Sequence, residues 1–190
     1  TSLRADAALT RRRAAIRALI SGDAAAAARA MQAIPAARRE TADSELLVDA
    51  LNRLHQFEDA LREVAAALPR AENKSGLLVR KARAQAALHN EAGTRATIEA
   101  LRDEGGGDPV ALGAAQRLLG DLELQLGQPG LAVAAYELAY TYSGDNTLLA
   151  SIARAAERLG DRRRAIAAWE RLCSTVGPAS PGCAERDRLQ

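Results

Sequence analysis

The chain has 190 residues, of which 48% are hydrophobic, 26% are charged and 3% are aromatic, and its formal net charge is +2. This composition excludes an intrinsically disordered chain, and so mild a charge argues against the concentrated basic surface that binds nucleic acid. No run of 18 apolar residues is present, so we expect no membrane insertion of this segment.

Five stretches, in chain order, repeat one pattern: an apolar helix end, a polar turn, and a second apolar run at helical spacing. One turn residue marks each stretch: Gly22, His55, His89, Gly127 and Gly160. The markers recur with a nearly constant period of about 34 residues, which indicates a stacked helical array. The third interval alone is longer, and it contains Glu104–Asp108, which we interpret as a flexible insertion.

The residues at the turns predict two helices in each period. Gly22-Asp23 and Gly160-Asp161 each pair a helix-ending glycine with an aspartate that can cap the next helix. Asp108-Pro109 is typical of an N-cap followed by proline in the first turn. We therefore predict five helix pairs within a repeat domain covering residues 1–176. The remaining residues, 177–190, are predicted to form an irregular tail.

Small and large residues alternate where the helices are expected to meet. Ala132 and Ala165 are predicted to lie at close helix crossings. Tyr136 and Trp169, each four residues later, are predicted to fill the gap to the neighbouring pair. This arrangement explains the repetition, because one helix pair cannot bury its apolar stripe alone.

The pattern resembles the tetratricopeptide-repeat family. The fourth stretch carries the fullest match, with Leu119-Gly120, Gly127, Ala132, Tyr136 and Ala139, and the fifth keeps its turn glycine, alanine and tryptophan. The first and third stretches depart from the pattern at the aromatic position. The resemblance implies an all-α, right-handed solenoid of stacked antiparallel helix pairs. It also implies a protein-interaction scaffold whose first helices line a concave groove that binds a peptide or protein segment.

Mapping that groove onto this sequence gives a candidate set of first-helix residues: Arg12, Asp49, Asn52, Arg53, Arg83, Arg117, Asp121, Arg154 and Arg158. Arginines outnumber carboxylates in this set, and arginine grips carboxylates with forked hydrogen bonds. We therefore expect the partner to be another protein or peptide of acidic character. The alternative is an ordinary solvated helix face, on which Asp49 and Asp121 neutralise the arginines by pairing within the chain.

The sequence offers no catalytic or metal-binding motif. His55 and His89 stand in turns without an accompanying nucleophile or base. The glycine run at 105–107 lacks the Lys-Ser or Lys-Thr of a phosphate-binding loop, and no metal-ligand spacing occurs. We therefore predict that the protein is not an enzyme and needs neither cofactor nor metal.

Cys173 and Cys183 are the only cysteines. They are either two unrelated thiols or a short disulfide that pins the tail, and a disulfide would favour the periplasm or cell envelope over the cytoplasm. The chain begins without Met, which we interpret as the sign of a processed or trimmed chain. Two functions stay open: a scaffold in a bacterial multiprotein assembly, or the sensor or regulatory domain of a larger protein whose effector domain lies elsewhere.

Overall fold

The computed structural model describes residues 2–104, 108–177 and 180–190, with side chains from residue 7 onward. It divides into two compact units, residues 1–93 and residues 94–190. Each unit is built from antiparallel helices joined by short turns, and the described residues contain no β-strand. The predicted insertion at 104–108 falls largely outside the described residues, since residues 105–107 are not among them.

The first unit stacks its helices in chain order. From α1 to α5, each helix packs against the next, and α3 also contacts α1 and α5. Short 3-10 turns follow α2 and α4, each next to a proline. The helices are α1 (Ser2–Ile20), α2 (Ala24–Gln32), α3 (Thr41–Arg53), α4 (Phe57–Ala67) and α5 (Ser75–Ala87).

The second unit continues the same pattern after a boundary that falls inside α6. From α7 onward, each helix packs against its successor. Ten α-helices are thus present among the described residues, the number that the period predicts, and an eleventh follows them. The helices are α6 (Glu91–Asp103), α7 (Pro109–Gln125), α8 (Pro129–Ser143), α9 (Thr147–Leu159), α10 (Arg162–Val176) and α11 (Pro181–Leu189).

The prediction of an irregular tail over 177–190 is wrong, because Pro181–Leu189 forms α11. Ser180 caps this helix by accepting a hydrogen bond from the backbone N–H of Gly182, and Pro181 occupies its first turn. Serine at the N-cap followed by proline is a standard helix start. The turn-rich residues before Ser180 made this helix start hard to recognise in the sequence.

The turn markers share one backbone conformation. Gly22, Gly127 and Gly160 have φ values of 85°, 73° and 82°, and His55 and His89 have φ values of 58° and 55°. This left-handed region ends a helix and turns the chain into the next one, and glycine adopts it at least cost. The two histidines are therefore structural equivalents of the glycines, which accounts for their places in the repeat.

Each unit has its own apolar core. The first is formed by residues such as Met31, Leu47 and Val64, from α2, α3 and α4. The second includes Tyr136 and Trp169, which are 2% and 3% exposed. Both aromatic rings are thus buried between helices, as predicted from the sequence.

Gly120 of α7 lies directly against the ring of Tyr136. A Cβ atom built at Gly120 would approach that ring to 2.6 Å. Tyr136 is fully packed, so the ring has no space into which it could move. The Leu-Gly element of the fourth repeat is therefore required by packing, since only glycine lets α7 and α8 approach this closely.

We predict that Gly120→Ala lowers the free energy of unfolding of the second unit by about 1–3 kcal/mol, because overpacking displaces the Tyr136 ring. Gly130→Ala is the matched control: its Cβ would meet only Leu159, at 3.7 Å. This second change should raise stability by about 0.5–1 kcal/mol, since alanine favours helix over glycine. Urea unfolding checks both, and equal effects of the two changes would contradict the packing account.

Candidate functional site

In the first unit, Arg12 is held by two carboxylates. Its Nε donates to Asp43 Oδ1 and its Nη2 donates to Glu40 Oε2, both at 2.8 Å. The hydrogen bond to buried Asp43 raises the pKa of Arg12, although partial burial acts against this rise. Arg12 therefore ties α1 to the start of α3, a role that the sequence analysis did not foresee.

Asp49, Asn52 and Arg53 of α3 are also engaged within the unit. Asp49 accepts a hydrogen bond from Arg80 of α5 at 2.8 Å. Buried Asn52 donates to the Arg80 carbonyl at 3.4 Å, and Arg53 donates to the Leu19 carbonyl at 2.6 Å. The alternative of intramolecular pairing thus applies to Asp49, with Arg80 rather than a predicted groove arginine as its partner.

Arg83 differs from the other predicted residues of this unit. It is exposed on α5 and makes no hydrogen bond or ion pair with the described residues. Among the predicted arginines of the first unit, Arg83 is thus the one whose guanidinium can bind a partner without first giving up a contact within the described residues.

In the second unit, Asp121 of α7 accepts a hydrogen bond from the Tyr136 hydroxyl at 2.6 Å. Burial, and then this hydrogen bond, raise the pKa of Tyr136 above its usual 10.0. The positive charges of Arg117 and Arg158 act in the opposite direction.

Glu157 of α9 has the equivalent role for the second aromatic ring. Its carboxylate accepts from Trp169 Nε1 at 2.7 Å and from Arg188 Nη2 at 2.5 Å. Burial disfavours the charged carboxylate, but these hydrogen bonds outweigh burial and lower the pKa of Glu157. Arg154, one turn earlier, lies over the Trp169 ring with its guanidinium carbon 5.9 Å from the ring centroid.

We name five first-helix residues of the second unit together the α7/α9 face: Arg117, Asp121, Arg154, Glu157 and Arg158. Residues three or four apart share one side of a helix, and α7 and α9 both pack against α8. The carboxylates of the face accept hydrogen bonds from the Tyr136 hydroxyl and the Trp169 indole, and its three arginines are exposed, as is Asp121. The nearest carboxylate to Arg117 is Asp145, at 4.0 Å, and the Arg117 side chain is 54% exposed. The surface can therefore offer three cations to a partner.

Two open grooves lie on other helices of the second unit. The α8/α10 groove, about 320 Å³, includes Tyr140, Ile152 and Arg171, and the Arg171 guanidinium carbon lies 4.6 Å from the Tyr140 ring centroid. The α6/α8 groove, about 250 Å³, includes the exposed residues Leu131 and Leu138. These two grooves are alternative binding sites for a partner, and experiments have to distinguish them from the α7/α9 face.

Sequence reasoning missed the partners that bridge first helices. Arg12 and Asp43, Asp49 and Arg80, and Glu157 and Arg188 are each separated by 31 residues. This recurring separation along the sequence, slightly less than one period, could have indicated the ion pairs. It can be recognised only when the register of the helices is known. Arg188 was missed because it lies in the segment predicted to be irregular.

Cys173 and Cys183 are joined in a disulfide, with Cα atoms 4.7 Å apart. This bond links α10 to α11. Among the described residues, no group of three or more histidine, cysteine or carboxylate side chains is placed to hold a metal ion. Within the same part of the chain, no helix has both the length and the apolarity needed to cross a membrane.

Comparison with solved structures finds similar proteins over nearly the whole chain. A thermophilic tetratricopeptide-repeat protein of Thermus thermophilus matches with a TM-score of 0.67 at 15% identity, over 96% of each chain. A tetratricopeptide-repeat protein from Parabacteroides merdae matches with a TM-score of 0.67 at 16% identity, over 97% of this chain and 72% of the other. The MamA protein matches with a TM-score of 0.63 at 18% identity, over 90% and 92%. No protein-family model matches the chain, and no curated protein sequence matches it significantly.

The chain therefore has the tetratricopeptide-repeat fold. The predicted class, an all-α right-handed solenoid of stacked helix pairs, is confirmed. Proteins with the tetratricopeptide-repeat fold are in general scaffolds that bind other proteins or peptides. Identities as low as these establish the fold alone, so the identity of the partner depends on contacts of this chain that the relatives do not reveal.

We predict that Glu157 contributes an acid-sensitive part of the stability of the second unit. A lowered pKa in the folded state adds stability that is present above the usual value of 4.5 and is lost as the pH falls through the folded value. Glu157→Gln, which keeps an acceptor for Trp169, should therefore differ most from the wild type near neutral pH. The difference should shrink in acid, below that usual value.

Urea unfolding across a pH series checks this prediction. Glu170→Gln is the control, because Glu170 is exposed on α10 and has no hydrogen-bond partner among the described residues. A Glu157→Gln effect of the same size at every pH would contradict the assignment.

Proposed function

We propose that the protein is an interaction scaffold whose α7/α9 face binds an acidic segment of another protein. The proposal is supported mainly by the arrangement of carboxylates and arginines on this face. Asp121 and Glu157 are held in place by hydrogen bonds from Tyr136 and Trp169, and the three exposed arginines outnumber these two carboxylates.

The arginines of the face are suited to a carboxylate-bearing partner. Arg117, Arg154 and Arg158 come from two successive first helices, so an extended segment crossing them would meet a guanidinium at each helix. Forked hydrogen bonds from arginine to carboxylate fix geometry as well as attracting charge. Exposed pairs of this kind are individually weak, so the affinity depends on several of them acting together.

The first unit contributes less to this proposal. Arg12 and Arg53 would have to give up contacts within the chain before they could bind a partner. Arg83 is available, and we propose it as a separate point of attraction for an acidic partner, without assigning it to the α7/α9 face.

We also propose a bacterial assembly in an oxidising compartment, such as the periplasm, as the setting of this scaffold. The Cys173–Cys183 disulfide supports such a compartment. The strong preference for arginine over lysine, together with the abundance of alanine, is typical of a GC-rich bacterial genome.

We predict that the double variant Arg117→Glu/Arg158→Glu binds a fluorescein-labelled oligoglutamate peptide at least about tenfold more weakly than the wild type at low salt. Two attractions become repulsions, and about 1.4 kcal/mol corresponds to tenfold in affinity. The difference should fall as added salt screens these exposed charges. Fluorescence anisotropy measures the affinity, and circular dichroism verifies the fold.

The matched control is Arg163→Glu/Arg171→Glu, which makes the same change in net charge on exposed arginines of α10. It should weaken binding far less than the α7/α9 double variant. If both double variants lose affinity equally, attraction is a property of net charge alone. If only the α10 variant loses affinity, the peptide binds at the α8/α10 groove and the chosen face is wrong.

A further inference from the structure

Helix α11 continues the row of first helices. It begins at Pro181, one period of the repeat after Thr147, the first residue of α9. Arg188 lies 31 residues after Glu157, the same separation that Arg80 has from Asp49 between α3 and α5. By both measures, α11 occupies the place of a sixth first helix, and its side chains reach α9 as α5 reaches α3.

Helix α11 packs on α10, and Leu189 contacts the apolar core of the second unit. The helix has nine residues, too few to be stable by itself in water. Its buried residues are Gly182 and Cys183, and a Cβ atom at Gly182 would lie 3.1 Å from Leu172 of α10. Arg162 donates to the Leu189 carbonyl at 2.5 Å. The disulfide of Cys183 is thus the one covalent anchor of a helix that buries little apolar surface.

The docked helix places Arg188 on Glu157. Arg188 Nη2 lies 2.5 Å from Glu157 Oε2, and its Nε lies 2.7 Å from Glu185 Oε2 on its own helix. Glu157 stands between Arg154 and Arg158 on α9, inside the face proposed to attract carboxylates. A carboxylate at this point repels an acidic segment and attracts its two arginine neighbours. Arg188 offsets that negative charge at Oε2, while Trp169 donates to Oε1.

We propose that the Cys173–Cys183 disulfide, by fixing α11 on α10, positions Arg188 to neutralise Glu157 and so keeps the arginines of the α7/α9 face available to an acidic partner. This inference rests on the proposed function. Arg188 acts here as a positioning residue, because its effect on the partner passes through Glu157.

The first experiment removes the arginine or its anchor. Arg188→Ala should bind the oligoglutamate peptide about threefold to tenfold more weakly than the wild type. Dithiothreitol should have a similar effect on the wild type: it breaks the Sγ–Sγ bond, each cysteine sulfur gains an electron and a proton, and the dithiol becomes its own cyclic disulfide. Reduction should have little further effect on Arg188→Ala. The variant Cys173→Ser/Cys183→Ser should behave like the reduced protein.

A double-mutant cycle separates positioning from simple attraction. In a Glu157→Gln background, Arg188→Ala should no longer change the affinity, because no carboxylate is left to neutralise. If the loss persists in that background, Arg188 attracts the peptide directly and the positioning role is overturned. Arg163→Ala is the control for the loss of one exposed charge.

Trp169 gives a readout that does not depend on binding. It is the only tryptophan, it is buried, and its indole N–H donates to Glu157. Reduction and Arg188→Ala should each shift its emission, since both change the charge beside the indole. Unchanged emission in both cases overturns the coupling between α11 and Glu157.

Failure of the proposed function has a different signature. In that case the wild type binds the peptide no better than an oligoglutamine peptide at low salt, while Trp169 still responds to reduction and to Arg188→Ala. Wild-type binding that is unaffected by Arg188→Ala and by reduction leaves the proposed function in place and overturns only the role of α11.

Discussion

The hydrogen bond from a buried aromatic ring to a carboxylate on the preceding first helix links packing to function in the second unit. Tyr136 must be large to fill the space between helices, and its hydroxyl must find an acceptor because an unpaired buried donor is costly. Asp121 supplies that acceptor at 2.6 Å, and Glu157 does the same for Trp169 at 2.7 Å. The same two bonds engage the carboxylates of the α7/α9 face. Packing thus fixes the two carboxylates of a face on which three arginines outnumber them.

The two units use similar residues differently. In the first unit, Arg12 and Arg80 join consecutive first helices by pairing with Asp43 and Asp49. In the second unit, Asp121 of α7 and Glu157 of α9 accept from aromatic rings, and a bridge between first helices is found where Arg188 of α11 reaches α9. Arginine spacing alone could not separate these two uses, because it does not show which carboxylate each guanidinium meets.

Local chemistry explains why much of the fold could be predicted from the sequence. Glycines at the turns, capping aspartates and the small residue opposite each ring act within one or two helices, so spacing reveals them; Asp23 and Asp161 indeed cap α2 and α10. Helix α11 was not predicted from the sequence because its stability comes from tertiary contacts: a disulfide, an ion pair to α9 and close packing of Gly182. The candidate site was predictable only as a set of positions on first helices. Which members are free, like Arg158, and which are engaged, like Arg12, depends on contacts between residues about one period apart.

The central claim is that the arginines of the α7/α9 face, which outnumber its carboxylates, bind an acidic partner. The most direct test is a nuclear magnetic resonance titration that follows the arginine Nε–Hε signals as oligoglutamate peptide is added at low salt. The account predicts the largest shifts at Arg117, Arg154 and Arg158, with Arg12 unmoved because its ion pairs with Glu40 and Asp43 hold it. Shifts confined to Arg164 and Arg171, which line the α8/α10 groove, would contradict it.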